Sequence, residues 1–178
     1  MSKRLFLSVH NDDETLFGFY TILRYKPKVV ICTDGYIQTD NGYKITAQDR
    51  IDETKEAMKI ANADVSFLGI PDRDLTEENL EEALKGYLDY DMVFAPYLEG
   101  GNEQHDIVSK VAKKLFKNII YYRTYDKDHF RTKGKIGIRA TNKEKALKKE
   151  ALSKYKTQID YIHTAQYFKT DNKEYYEL

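Results

Sequence analysis

Short apolar runs alternate along this chain with segments of helical periodicity, and no other feature narrows the fold as much. Arg4 to Val9, Val29 to Thr33, Val65 to Leu68, Met92 to Ala95 and Ile119 to Tyr125 are strand-sized and rich in β-branched and aromatic residues. Between them, Thr15 to Arg24, Thr46 to Ala61, a segment starting at Thr76, and Glu103 to Phe116 read as helices. In the first of these, Leu16, Phe19, Tyr20 and Leu23 share one face. Thr46 with Asp49 three residues on suits a capped helix start, and Glu77 and Glu78 sit where acid complements a helix N-terminus. This order predicts an α/β architecture, a mostly parallel sheet covered on both faces. Right-handed crossovers then align the carboxyl ends of the parallel strands along one edge.

The remaining stretches are less patterned. The Asp34-Gly35 turn opens a segment that reads as loop as far as Ile45. Beyond Asp126, Lys135 to Ala140 is expected as an edge strand. Thr141 to Ile162 is expected as one long basic helix with Ala146, Leu147, Ala151, Leu152 and Tyr155 inward. The Tyr-rich tail from Ala165 predicts no particular element.

At 178 residues the chain fits a single domain, 1–178, able to bury about 70% of its unfolded surface. Its 29 basic and 29 acidic residues cancel, so no global field draws it to nucleic acid or an anionic membrane. The lone cysteine, Cys32, excludes an intrachain disulfide or a cysteine zinc cluster, and its apolar surroundings predict a buried thiol. Ser2-Lys3-Arg4 leads directly into a strand without a signal-peptide core, and no run approaches the roughly 18 apolar residues of a membrane span. A cytoplasmic protein without nucleic-acid or membrane partners is expected, with homo-oligomer formation left open.

The polar residues cluster where such a fold binds ligands, outside the carboxyl ends of the strands. His10-Asn11-Asp12-Asp13-Glu14 follows the first strand, Asp34 the second, Asp72 the third and Asn102 to His105 the fourth. A histidine and carboxylates in one tight turn suit zinc, whose catalytic sites use three protein ligands and one open position. His10 and Asp13 are spaced to share an ion, and His105 completes a two-histidine, one-carboxylate set. Asp12 is then left beside the metal, where a general base is needed. The acidic residues also suit plain helix capping. His129 and His163 read as surface residues. Arg50 with Glu53 also reads as a helix-surface ion pair, and Asp72 beside Pro71 as a turn residue.

The same residues resemble a known family. Ser8-Val9-His10-Asn11-Asp12-Asp13-Glu14 looks like the Pro-His-Pro-Asp-Asp-Glu signature of the PIG-L/LmbE-like de-N-acetylases. In order along the chain, Thr33-Asp34-Gly35, Arg50-x-x-Glu53, Leu68-Gly69-Ile70-Pro71-Asp72 and Tyr155-x-Thr157-Gln158 are similar to its later motifs. The resemblance implies a Rossmann-like three-layer domain and a Zn2+ cofactor held by His10, Asp13 and His105. It implies Asp12 as general base, Arg50 and Asp72 as substrate-binding residues, and removal of an acyl group from an N-acetylated sugar. Glu14 is expected to support the turn or a ligand, and Asp34 either to face the substrate or to make its turn.

Two positions depart from the family's His-x-Asp-His motif, where this chain has Asn102-Glu103-Gln104-His105. Asn102 stands where the family has a histidine that stabilises the tetrahedral intermediate; it donates a hydrogen bond but carries no proton. Two other classes compete with the deacetylase reading. A metal-dependent phosphoesterase using magnesium is disfavoured by the two histidines, and a non-catalytic sugar-binding member is disfavoured because base and ligands are all present.

Overall fold

The structure, a computed structural model, describes residues 2–38, 42, 44–128, 130–160 and 173–178; His129, Ile162, His163 and the start of the tail at Ala165 lie outside them. The first half of the chain forms β1 (Arg4–Ser8), α1 (Asp13–Tyr25), β2 (Lys28–Thr33), β3 (Ile37–Gln38), β4 (Lys44–Ile45), α2 (Ala47–Ala61), β5 (Val65–Ile70) and α3 (Glu77–Leu84). The second half forms β6 (Met92–Pro96), α4 (Glu103–Leu115), β7 (Ile119–Tyr122), β8 (Ile136–Arg139), α5 (Asn142–Leu152), α6 (Lys156–Asp160) and β9 (Lys173–Glu177). Single 3-10 turns follow β5 and α3.

Seven strands make the central sheet in the order β5-β2-β1-β6-β7-β9-β8. The first five are parallel, and β9 runs antiparallel to both of its neighbours. Each inner strand buries both faces, which explains its unbroken apolar run. Phe6, Val29, Ile31 and Phe94 face a core shared with α1, α2 and α5. Leu5, Leu7, Val30, Cys32 and Val93 face the layer of α3 and α4. Cys32 is buried and free, as expected. This is the Rossmann-like three-layer arrangement. The chain leaves β1 to one side and returns at β6 on the other, so the sheet's topological switch point lies between these two strands.

Gly18 lets α1 lie directly on the sheet. A β-carbon there would come within 2.2 Å of the Phe6 ring, so any larger residue would push the helix outward. Within α1, the Tyr20 and Thr21 N–H groups donate to the Glu174 carboxylate at 2.8 and 3.2 Å, and the Leu16 carbonyl accepts from Lys148 at 2.8 Å. Lys148 and Glu174, both fully buried, also pair with each other at 3.3 Å. An ion pair from α5 and β9 is thus threaded into the backbone hydrogen bonding of α1.

Five sequence expectations change. The segment expected as loop contains the β3–β4 hairpin, with Ile45 buried beneath it. The expected single helix from Thr141 is two helices, because the chain turns at Ser153 to Tyr155 to drive the Tyr155 ring inward. No Gly or Pro marks that turn, so periodicity alone runs through it. Ala146 is exposed rather than inward, while Lys148 on the same helix is buried. The tail supplies β9, which inserts between β7 and β8. The strand Ile119 to Tyr125 ends at Tyr122. The capping of α2 by Thr46 and Asp49 is as expected, and β8 is the edge strand.

Two stability predictions follow from these contacts. Glu174→Ala leaves a buried ammonium and two helix N–H groups without their carboxylate; it should cost about 3–5 kcal/mol in denaturant unfolding, and a loss below about 1 kcal/mol would show that α1 does not depend on the pair. At the surface, Arg24 and the Thr141 cap hold Glu144 down to about 2, below its ordinary 4.5. A depressed carboxylate contributes stability above its unfolded value, so the deficit of Glu144→Gln should be full above about pH 5 and vanish as the pH falls toward 2.

Candidate metal centre and active site

The turn after β1 and the start of α4 meet at the carboxyl edge of the sheet, on either side of the switch point. Asp13 begins α1 and is 3% exposed; His105 lies in the first turn of α4 and is 2% exposed. Asp13 Oδ2 accepts the His10 N–H at 2.9 Å, which closes the turn. The same oxygen lies 3.3 Å from His10 Nδ1 and 3.1 Å from His105 Nε2, and those two nitrogens are 3.3 Å apart. Three donor atoms thus form a nearly equilateral triangle. A tetrahedral ion with bonds of ~2.0–2.1 Å has ligand–ligand edges of about 3.3–3.4 Å, so the donor set fits a zinc-sized ion with the fourth direction free.

The far nitrogens fix which imidazole atoms face that point. His10 Nε2 donates to Gln104 Oε1 at 2.6 Å, and Gln104 Nε2 donates to the Asp72 carbonyl, which sets the orientation of the amide. His105 Nδ1 faces the Thr124 hydroxyl at 3.4 Å, and the Thr124 N–H donates to Glu99 at 2.7 Å. Each ring therefore turns its other nitrogen inward, the orientation that outer hydrogen bonds impose on metal-ligating histidines. Gln104, a departure from the family pattern at the sequence level, is an acceptor for His10 in the structure.

Charge follows the same geometry. Burial pushes the Asp13 carboxyl up, but His105 and His10 outweigh it and hold the group well below the usual carboxylate range. Burial lowers His10, yet its hydrogen bond and attraction to Asp13 prevail and lift it to about 10. A metal therefore competes with a proton for His10 Nδ1. Asp12 caps α1 with its backbone and leaves its side chain free of capping bonds. Burial raises its pKa, opposed by Arg50, whose Nη2 lies 3.0 Å from Asp12 Oδ2. Glu14 is fully buried and raised to about 7 by desolvation; it accepts from Ser8 at 2.9 Å and from the Tyr155 hydroxyl.

A cavity of about 230 Å³ opens over this cluster. His10, Asp12 and Asp13 line it, with the apolar Leu16 and Phe17 and the polar Arg50, Asp72, Asn102, Tyr125 and Gln158. Asp72 also borders a wider groove with Asp34, Tyr36, Gln38 and Arg73. Of the residues singled out in the sequence, His10, Asp12, Asp13, Arg50, Asp72 and Asn102 reach the cavity, and His105 lies beneath it. Glu14 stays behind the cavity with Ser8 and Tyr155. Asp34 accepts the Tyr36 N–H at 3.1 Å within its own turn and borders only the groove. Asn102 spends its carbonyl oxygen capping α4, through Gln104 and His105 N–H, and turns its amide nitrogen to the Tyr125 hydroxyl at 3.4 Å.

Sequence reasoning missed Tyr125. It follows β7 and so reaches the same rim as the other strand-end residues, the one signal available for it. Gly101 brings it close to Asn102: a β-carbon there would sit 2.2 Å from the Tyr125 carbonyl oxygen. The late motif is also explained. Thr157 donates to Glu53 through N–H and hydroxyl at 2.7 and 2.6 Å, which joins α6 to the helix that carries Arg50.

This fold and site belong to a defined class. The PIG-L family, described as GlcNAc-PI de-N-acetylase, matches residues 5–116, and the chain belongs to that family. No curated protein matches the chain. Among solved structures, a conserved protein of Thermus thermophilus is 20% identical with a TM-score of 0.70 over 99% of this chain and 94% of that one. The 4-carboxy-2-hydroxymuconate hydratase GalB of Pseudomonas putida is 14% identical, TM-score 0.68, over 94% and 83%. Teicoplanin deacetylase in a zinc-inhibited form is 11% identical, TM-score 0.68, over 89% and 85%. These likenesses establish the fold. A hydratase and a deacetylase share it, so the chemistry has to be argued from the site.

Gln104→Ala should leave the fold intact and weaken zinc binding by about 10–100-fold in calorimetric titration, because His10 loses the partner that orients it. Unchanged affinity would show that the amide plays no part in holding the ring.

Proposed function

We propose that the whole chain, 1–178, forms one domain that removes an acetyl or other acyl group from the amide nitrogen of an amino sugar or sugar-bearing small molecule, with Zn2+ at His10, Asp13 and His105. The observation that carries this reading is the triangle of three inward-facing donor atoms, with the Arg50-paired carboxylate of Asp12 outside the triangle and lining the same cavity. An ion there supplies Lewis acidity, polarising an amide carbonyl and lowering the pKa of water. Two imidazoles and one carboxylate suit zinc better than magnesium, which favours oxygen ligands.

The chain's own groups divide the remaining work. Asp12, whose pKa burial raises, takes a proton from the attacking water and returns it to the leaving amine. Arg50 holds Asp12 in place and keeps its carboxylate accessible in the ionised form. Asn102 and the Tyr125 hydroxyl, neighbours in the lining of the same cavity, donate hydrogen bonds toward charge developing on the carbonyl oxygen. Leu16 and Phe17 form an apolar wall for the acyl group and exclude water from it. The cavity, below the roughly 300–1,000 Å³ usual for ligand pockets, suits a small acyl-bearing unit. Asp72 stands where cavity and groove meet, to accept from substrate hydroxyls; Asp34 borders the groove, where longer substrates extend. Glu14 fixes the first turn from behind.

Asp12→Asn should lower kcat by at least about 10²-fold while zinc content, by elemental analysis, stays near that of the wild type. Acetate release from a panel of N-acetylated sugars, with and without a chelator, is the direct assay. Chelator-resistant turnover, or full activity in Asp12→Asn, would remove the proposed mechanism.

A further inference from the structure

A second cavity shares no lining residue with the candidate site. It encloses about 550 Å³ and is lined by Arg131, Lys133, Arg139, Lys145 and Lys173, together with Thr132, Ala140 and Tyr175. Among the described residues, five cations and no carboxylate line it, in a chain whose formal charge is zero. Like charges gathered in a concavity repel one another, and low-dielectric walls focus their field. An anion relieves that repulsion.

The wall is built rather than loose. Arg131 donates to the Leu16 carbonyl at 3.2 Å and lies over the Phe17 ring at 4.8 Å, so its guanidinium is held in a fixed plane. Thr132 is tied to Thr124 through its N–H at 3.2 Å, accepts from Arg123 at 3.1 Å and donates to Glu99. Lys145 stands on α5 and Lys173 on β9, one turn before Lys148 and one residue before Glu174, so both lysines spring from elements anchored by the buried pair. Two guanidiniums recognise phosphate oxygens in a bidentate manner, and three ammonium groups add charge.

We infer that this cavity is a binding site for a multiply charged phosphate group carried by a small molecule, separate from the proposed metal centre. The volume lies within the usual range for small-molecule pockets. The inference does not depend on the deacetylase reading, since none of its residues holds the metal or lines the candidate site.

Inorganic pyrophosphate is the probe, titrated calorimetrically into the full chain in the presence of a chelator, so that metal–phosphate contact plays no part. The expected result is one saturable site per chain whose affinity falls with added salt. The triple variant Lys133→Ala, Lys145→Ala, Lys173→Ala removes exposed or half-buried side chains and should weaken binding at least tenfold with an unchanged melting temperature. If the triple variant fails to fold, the single variant Lys173→Glu should show the same direction of effect. His105→Ala should bind pyrophosphate as the wild type does. Absence of saturable binding, equal binding by the variants, or loss of binding in His105→Ala would overturn the site. Citrate binding as tightly as pyrophosphate would overturn its assignment to phosphate.

Discussion

The Asp13 carboxylate joins the two halves of the sheet at its carboxyl edge. A buried carboxylate is costly unless it is paired and hydrogen-bonded. Asp13 meets that requirement with one backbone N–H from its own turn and two imidazoles, one from each side of the switch point. The strand order decides whether this is possible. Because β1 and β6 are neighbours although most of the first half of the chain lies between them, the turn at His10 and the helix start at His105 come within one ligand distance. The cluster is therefore as much a product of topology as of the residues in it.

The second constraint acts on the helix that carries the acidic turn. Gly18 sets the height of α1 above Phe6, and the Lys148–Glu174 pair fixes its middle from the far end of the chain. Arg131 holds the same Leu16 carbonyl and packs on Phe17. Elements that contribute no ligand thus determine where Asp12, Asp13, Leu16 and Phe17 sit. The family match ends at residue 116, while Arg131, Lys148 and Glu174 come from beyond it.

The first five sheet strands and the principal helices were legible because each strand buries two faces and each helix one, so their hydrophobic periods differ. The rim could then be inferred from strand ends, which brought His10, Asp13 and His105 together before any coordinates. What escaped the sequence depends on long-range pairing. The break before Tyr155 arises from a buried hydroxyl contact with Glu14, residues 141 apart, and no local breaker announces it. Lys148 reads as one more basic surface residue until its partner on β9 is known. Tyr125 carries no motif, and Gln104 reads only as a departure from one; their neighbours across the sheet edge give them meaning.

Gln104 has one further chemical consequence. An amide steers the His10 ring as firmly as a carboxylate would, yet it brings no negative charge and leaves the ring a weaker electron donor. An ion bound here would keep more of its own positive character than one whose histidine leans on an aspartate. Such a centre would trade tenacity for electrophilic strength: it would give up an ion more readily, and while the ion was present it would pull harder on whatever oxygen filled the open position.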